Sequence, residues 1–137
     1  MDLVEGIPTY GGHHLEKLAS YGDPSCISFP IPQIQSTNLS FVGLETFCRL
    51  QIYGKKEMGK PVFERNMRKD IRIKDLLDIA ASAQFSAFFQ ISQRVHRTLH
   101  RIHQMSIPLT GVHLVGGVAC NDYFREMLEV TCKKNKK

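Results

Sequence analysis

Apolar residues along this chain fall into stretches of helical spacing, separated by breaks rich in glycine and proline. Pro8, Tyr10, Gly11 and Gly12 mark a first turn, because glycine accepts backbone angles that other residues resist. Leu15, Leu18 and Ala19 then predict a helix over 13–21, with Gly22, Asp23 and Pro24 as its stop. Over 25–40, Pro30 and Pro32 interleave with Ile27, Phe29, Ile31 and Ile34, which suits extended segments and edge strands. A second helix is expected over 42–52, after a turn at Gly43, with Leu44, Phe47, Cys48 and Leu50 inward. Residues 53–74, rich in Lys and Arg and broken by Gly54, Gly59 and Pro61, read as an exposed connection with at most a short helical piece.

The longest pattern runs over 73–105, where Leu77, Ala81, Gln84, Phe88, Ile91, Val95 and Ile102 recur mostly at steps of three and four. Ser106 and Pro108 end it. G-V-H-L-V over 111–115 predicts a short buried strand, and 122–133 a closing helix. The expected class is therefore α/β, mostly helical with few strands.

Composition changes little in this picture. Hydrophobic content of 42% and charged content of 23% are ordinary for a globular chain and argue against a disordered or membrane class. A formal charge of +5 gives a basic surface suited to an acidic partner such as RNA. Cys26, Cys48, Cys120 and Cys132 form no C-x-x-C pair and have no histidine at zinc-finger spacing, so free thiols are expected in place of a disulfide or structural metal. No apolar run approaches the ~20 residues of a membrane span, and no membrane partner is expected.

The candidate chemistry lies after 111–115. A strand, Gly116-Gly117 and a helix start would bring bare backbone amides to one spot, which suits a phosphate or the sugar of a nucleotide. Asn121 either caps that helix or turns its amide toward a ligand. His96, His100 and His103 share a helical face where a metal is conceivable, but Arg94, Arg97 and Arg101 around them fit a solvated basic face or a surface for RNA phosphates. Two or more of Phe85, Phe88 and Phe89 are assigned to packing, and Cys120 has no partner that would make it a nucleophile.

G-G-V-A-C-N-D-Y-F-R over 116–125 resembles the G-G-V-A-x-N-x-x-L-R segment of the tRNA threonylcarbamoyladenosine transferases. Four more segments agree in order: Tyr10-Gly11-Gly12 with L-E-K-L-A at 15–19, F-P-I-P at 29–32, 39–46, and D-I-A-A-S at 78–82. The pattern departs from the family's at Val42, at Glu45 and in lacking a proline after Tyr10. The resemblance implies a partial actin-like ATPase domain (ASKHA, ribonuclease H-like), with a helical insertion over 13–105 and a strand, glycine turn and helix of the second lobe over 111–134. It implies transfer of a threonylcarbamoyl group from its adenylate to the adenosine next to the anticodon of tRNAs.

By the same resemblance Gly12, Gly116, Gly117 and Asn121 would bind the adenylate. The resemblance places the family's divalent metal, iron, zinc or magnesium, on an H-x-x-x-H pair upstream of the matched segments and on the aspartate of a downstream D-N-G motif. No D-N-G occurs in this sequence, and its H-x-x-x-H spacing, His96 to His100, falls within 73–105 and not upstream of the matched segments. The expectation is a C-proximal, truncated and inactive form with threonylcarbamoyl-adenylate and tRNA as partners, and homodimers or family subunits as further ones. The alternative is a non-catalytic module that binds a partner subunit through 73–105. The Y-G-G and F-P-I-P segments lean to the bacterial and mitochondrial branch, so a mitochondrial location is expected, with the cytoplasm as alternative.

Overall fold

A computed structural model describes residues 11–30 and 39–135. Residues 1–10, with Pro8 and Tyr10 of the first turn, and 31–38, with Pro32 and Ile34, lie outside the described residues. Four α-helices follow in order: α1 (Gly11–Ala19), α2 (Val42–Tyr53), α3 (Ile73–Gln104) and α4 (Asp122–Lys134). Short 3-10 turns at Glu57–Gly59, Val62–Glu64 and Gly117–Cys120 interrupt the connections.

α3 is the axis of the fold, since α1, α2 and α4 each pack against it. Its 32 residues make a rod of about 48 Å at 1.5 Å per residue. Asp75 starts it by accepting the backbone N–H of Arg72 at 2.8 Å, which satisfies a donor just ahead of the first turn. At its other end Ile107 N–H reaches back to the Ile102 carbonyl at 3.3 Å, with Ser106 in the left-handed region at φ 57°. Pro108 follows and cannot continue the helix.

The core is small and built for close approach. Ala19, Ala80 and Ala81 bury together where α1 meets α3. Gly22 completes that contact, because a Cβ there would collide with the Leu77 carbonyl of α3. Aromatic rings fill the other joints: Phe29 meets Phe47 edge-on at 4.8 Å, and Phe88 of α3 stacks on Phe124 of α4 at 4.5 Å. Phe85 and Phe89 stack on each other at 5.5 Å, so all three phenylalanines of α3 serve packing.

The buried face of α3 is as much polar as apolar, with Asp78, Ser82, Gln84, Ser86, Gln90, Ser92 and Arg94 all buried. Several of these hold loops. Asp78 accepts the Asp23 N–H at 2.9 Å, and Ser82 Oγ donates to the Asp23 carbonyl at 3.3 Å while accepting the Ile27 N–H at 3.2 Å. Gln90 brackets Ser40, accepting its N–H at 3.1 Å and donating to its carbonyl at 2.8 Å.

Two expectations are corrected. Gly43 is not a turn but lies in α2, which begins at Val42. Residues 111–115 form no strand, and no strand occurs among the described residues. A strand needs a neighbouring backbone to pair with, and no described segment runs beside this one. Its apolar side chains are therefore exposed, Val112 at 44% and Val115 at 84%, as are Ile107, Leu109, Leu114 and Val118 around it.

Candidate functional site

α1, which contains Gly12, and α4, which follows Gly116 and Gly117, both pack against α3. Gly12 sits in the first turn of α1, and Glu16 follows one turn later on the same helix. Glu16 Oε1 accepts the backbone N–H of Asp122 at 3.2 Å, tying α1 to the start of α4 across more than a hundred residues of sequence. A carboxylate at a helix N-terminus also meets the positive end of the peptide dipoles there.

Asn121 completes the joint. Its Oδ1 accepts the Phe124 N–H at 3.0 Å, so it is the N-cap of α4, and its Nδ2 donates to Gln84 Oε1 of α3 at 3.1 Å. Of the two readings of Asn121, the structure shows the cap, and it adds a tie to α3 that the sequence did not indicate. A carboxamide nitrogen carries two hydrogens, so one donor is left over after the bond to Gln84.

Just ahead of Asn121, Gly116 is in the left-handed region at φ 98°, and the 3-10 turn that follows is closed by Ala119 N–H on the Gly116 carbonyl and Asn121 N–H on that of Val118, both at 3.0 Å. Around Gly12, Gly116 and Gly117 no atom lies within 4 Å of where a Cβ would stand. These backbones are open to a ligand, in contrast to Gly22, which is packed shut. A hollow of about 390 Å³ where α1, α3 and α4 meet is lined by Glu16, Ser20, Gly22, Gln84, Asp122 and Tyr123, and not by Gly12, Gly116, Gly117 or Asn121. Burial pushes the Tyr123 phenol up, so it stays neutral at physiological pH.

Neither Cys26 nor Cys48 is prepared as a nucleophile by its surroundings. The hydrogen bond to the Asp78 carboxylate, followed by burial, pushes Cys26 up, and burial pushes Cys48 up. All four cysteines are free. Two of the histidines of α3 are engaged: His96 Nδ1 is 2.9 Å from Asn135 Nδ2, and His100 Nε2 is 3.0 Å from Gln104 Nε2. Among the described residues no group of three or more His, Cys, Asp or Glu side chains converges as a metal would require. The divalent metal implied by the resemblance therefore finds no seat on these residues, and no step is routed through it.

Spacing alone missed the Glu16 tie and the polar inner face of α3. A signal for the second was present, since Gln84 occupies a position in the apolar stripe, where an amide is retained only with a partner.

The described residues form a helical frame around α3, with exposed glycine backbone at Gly116 and Gly117 and an N-capping carboxamide at Asn121. The family model described as TsaD, tRNA N6-adenosine threonylcarbamoyltransferase, matches residues 2–137, and the chain belongs to that family. It is 34% identical over 128 residues to the tRNA N6-adenosine threonylcarbamoyltransferase of Rickettsia massiliae (strain Mtu5), covering 90% of this chain and 33% of that one. Similarity to the enzyme of the same name from Chlamydia caviae is 36% over 126 residues, covering 92% of this chain and 34% of that one. The one from Chlamydia muridarum is 33% identical over 127 residues, with 93% and 34% covered. The chain thus spans about a third of the length of the curated relatives it matches. No solved structure matches it.

Proposed function

We propose that this chain provides one side of the adenylate site of a tRNA N6-adenosine threonylcarbamoyltransferase, within an actin-like fold, and is inactive alone. The observation that carries this is the joint between α1 and α4. In its support, Glu16, one turn after Gly12 in α1, accepts the N–H of Asp122, the residue after Asn121, and Asn121 donates to Gln84 of α3. The helix that holds Gly12 is thus tied to the helix start that follows Gly116 and Gly117, and the family resemblance assigns Gly12, Gly116, Gly117 and Asn121 to the adenylate.

In the reaction the exocyclic amine of the tRNA adenosine attacks the carbonyl carbon of the threonylcarbamoyl-adenylate, the bond to the phosphate oxygen breaks, and adenylate leaves. The acyl group arrives activated, so no covalent intermediate on a side chain is needed. The contribution of this half-site is orientation: backbone amides and the remaining Asn121 donor hold the adenylate while the amine approaches.

Calorimetry of the purified chain with a non-hydrolysable threonylcarbamoyl-adenylate analogue tests this. Saturable binding is expected, weakened at least about tenfold (one bidentate-scale interaction, ~1.4 kcal/mol) in Gly117→Val, whose side chain fills the open backbone without touching the core. Asn121→Asp keeps the cap but lacks the N–H, and is expected to weaken binding with unchanged helicity. A folded chain that takes up no analogue would overturn the proposal and favour a non-catalytic module acting through 73–105.

A further inference from the structure

α3 and α4 enclose a groove of about 650 Å³ whose apolar lining is Phe89, Tyr123, Met127 and Val130. Glu126 and Lys134 of α4 also line it, and both are exposed. With Val130 they form one row at steps of four, a spacing that keeps residues on the same side of a helix. Eight residues of helix put the two charges about 12 Å apart, too far to pair with each other. Other charges of α4 are matched within the helix, Lys133 with Glu129 at 2.6 Å and Arg125 with Asp122 at 3.8 Å. Glu126 and Lys134 take part in no ion pair among the described residues. Val130, midway between them, is 52% exposed, so the row presents an apolar centre flanked by two opposite and unmatched charges.

That pattern selects its occupant. A polyanion would be repelled at Glu126 and a polycation at Lys134, so a partner must carry both signs in the opposite order, with an apolar group between them. α4 laid antiparallel on itself meets this demand. Val130 is four residues from Glu126 and four from Lys134, so a two-fold axis at Val130 brings each carboxylate to the ammonium of the other copy. We propose that this row is a self-association surface, on which a second copy of the chain docks its own α4 antiparallel. Glu126 then meets Lys134 of the second copy at both ends, Val130 meets its equivalent at the centre, and the apolar lining of both grooves is covered. A single pair of short helices buries less than the ~1,200 Å² of a stable complex, so the dimer is of the transient class and forms as concentration rises.

The test is sedimentation equilibrium of the full chain across a concentration series, with the weight-average mass expected to rise toward twice that of one chain. Glu126→Lys and Lys134→Glu each set like charges against each other at both ends of the pair, and each is expected to weaken dimerisation at least about tenfold. Mixed in equal amounts, the two single variants should associate with each other about as well as the parent does with itself, because a row with two cations then faces a row with two anions. Glu126→Lys/Lys134→Glu reverses the row, keeps its complement and should dimerise like the parent. Glu129→Lys/Lys133→Glu reverses the pair already matched within α4 and should leave association unchanged. All four positions are exposed, so circular dichroism should show parental helicity throughout. A parent that stays monomeric at every concentration overturns the proposal, as do single variants that dimerise like the parent. Weakening in the single variants without recovery in the mixture and in the reversed row also overturns it, since the row would then face a different surface and not itself. None of these readouts depends on the adenylate reading.

Discussion

Two glycine-to-alanine substitutions should shift stability in opposite directions, by amounts that follow from the space around each residue. At Gly22 the added Cβ would overlap the Leu77 carbonyl carbon and oxygen and crowd the Asp78 N–H. These are backbone atoms in the middle of a helix, so no rotamer change relieves the clash. The loop around Gly22 is also held on its far side by Asp78 and Ser82. Overpacking of this kind costs about 3 kcal/mol, the upper end for an inserted methyl group, because the neighbours cannot give. For a chain of this size, at about 4 °C per kcal/mol, that is a fall of about 12 °C in Tm. At Gly43, in the first turn of α2, nothing lies within 4 Å of the new Cβ and the backbone is not left-handed. Alanine there removes unfolded-state freedom and should add about 0.5 kcal/mol, or about 2 °C. Thermal melts followed by circular dichroism at the helix band read both. A Gly22→Ala chain that melts within about 2 °C of the parent would refute the close α1–α3 contact and the small-residue core with it.

Two further predictions concern the polar inner face of α3. Gln90→Ala removes both hydrogen bonds to Ser40 and leaves its backbone groups without partners, which should cost about 2 kcal/mol and speed amide exchange in α2; unchanged exchange there would show that Gln90 does not anchor it. The Asp78 carboxyl is held below the usual aspartate range, first by the Asp23 N–H, then by Cys26 and Lys74. A lowered folded-state value means stability that is present above the unfolded value of about 3.9 and is lost as pH falls through the folded one. Asp78→Asn should therefore melt lower at pH 7 and show a shallower fall in Tm below about pH 4, shallower and not flat because Asp23, Asp70, Asp75, Glu57 and Glu129 are lowered too. An identical pH slope in parent and variant would exclude the role of Asp78.

The sequence pattern was most informative where a single element determines it. The steps of three and four from Leu77 onward placed α3 to within a residue of its end, because a long amphipathic helix needs only one apolar face and a stop, supplied by Ser106 and Pro108. The same pattern was misleading at 111–115, where G-V-H-L-V has the composition of a buried strand. Composition states a preference for burial, but burial and pairing are supplied by other segments, and none is present among the described residues. Gly22 read as a helix stop, which it is. That it also admits the Leu77 backbone is a tertiary fact with no local trace. Gln84 reads as a stripe position and the pattern does not single out Gln90, yet each is buried and bonded to a residue 37 or 50 positions away.

Asn121 was legible in the sequence as a helix cap, but its tie to α3 was not. As a local residue it had two competing uses, cap or ligand, and a carboxamide was treated as able to serve only one. The geometry removes that competition. Oδ1 is spent on the Phe124 N–H and one Nδ2 hydrogen on Gln84, so the side chain is held from two sides before any ligand arrives. A donor fixed in this way loses little rotamer freedom on binding, a saving of about 0.5 to 1.5 kcal/mol over a free asparagine. The cap therefore supports the binding role, and α3, through Gln84, sets the direction in which Asn121 points. Gly116 and Gly117 stand just ahead of the same start of α4, whose cap residue the bond to Gln84 ties to α3.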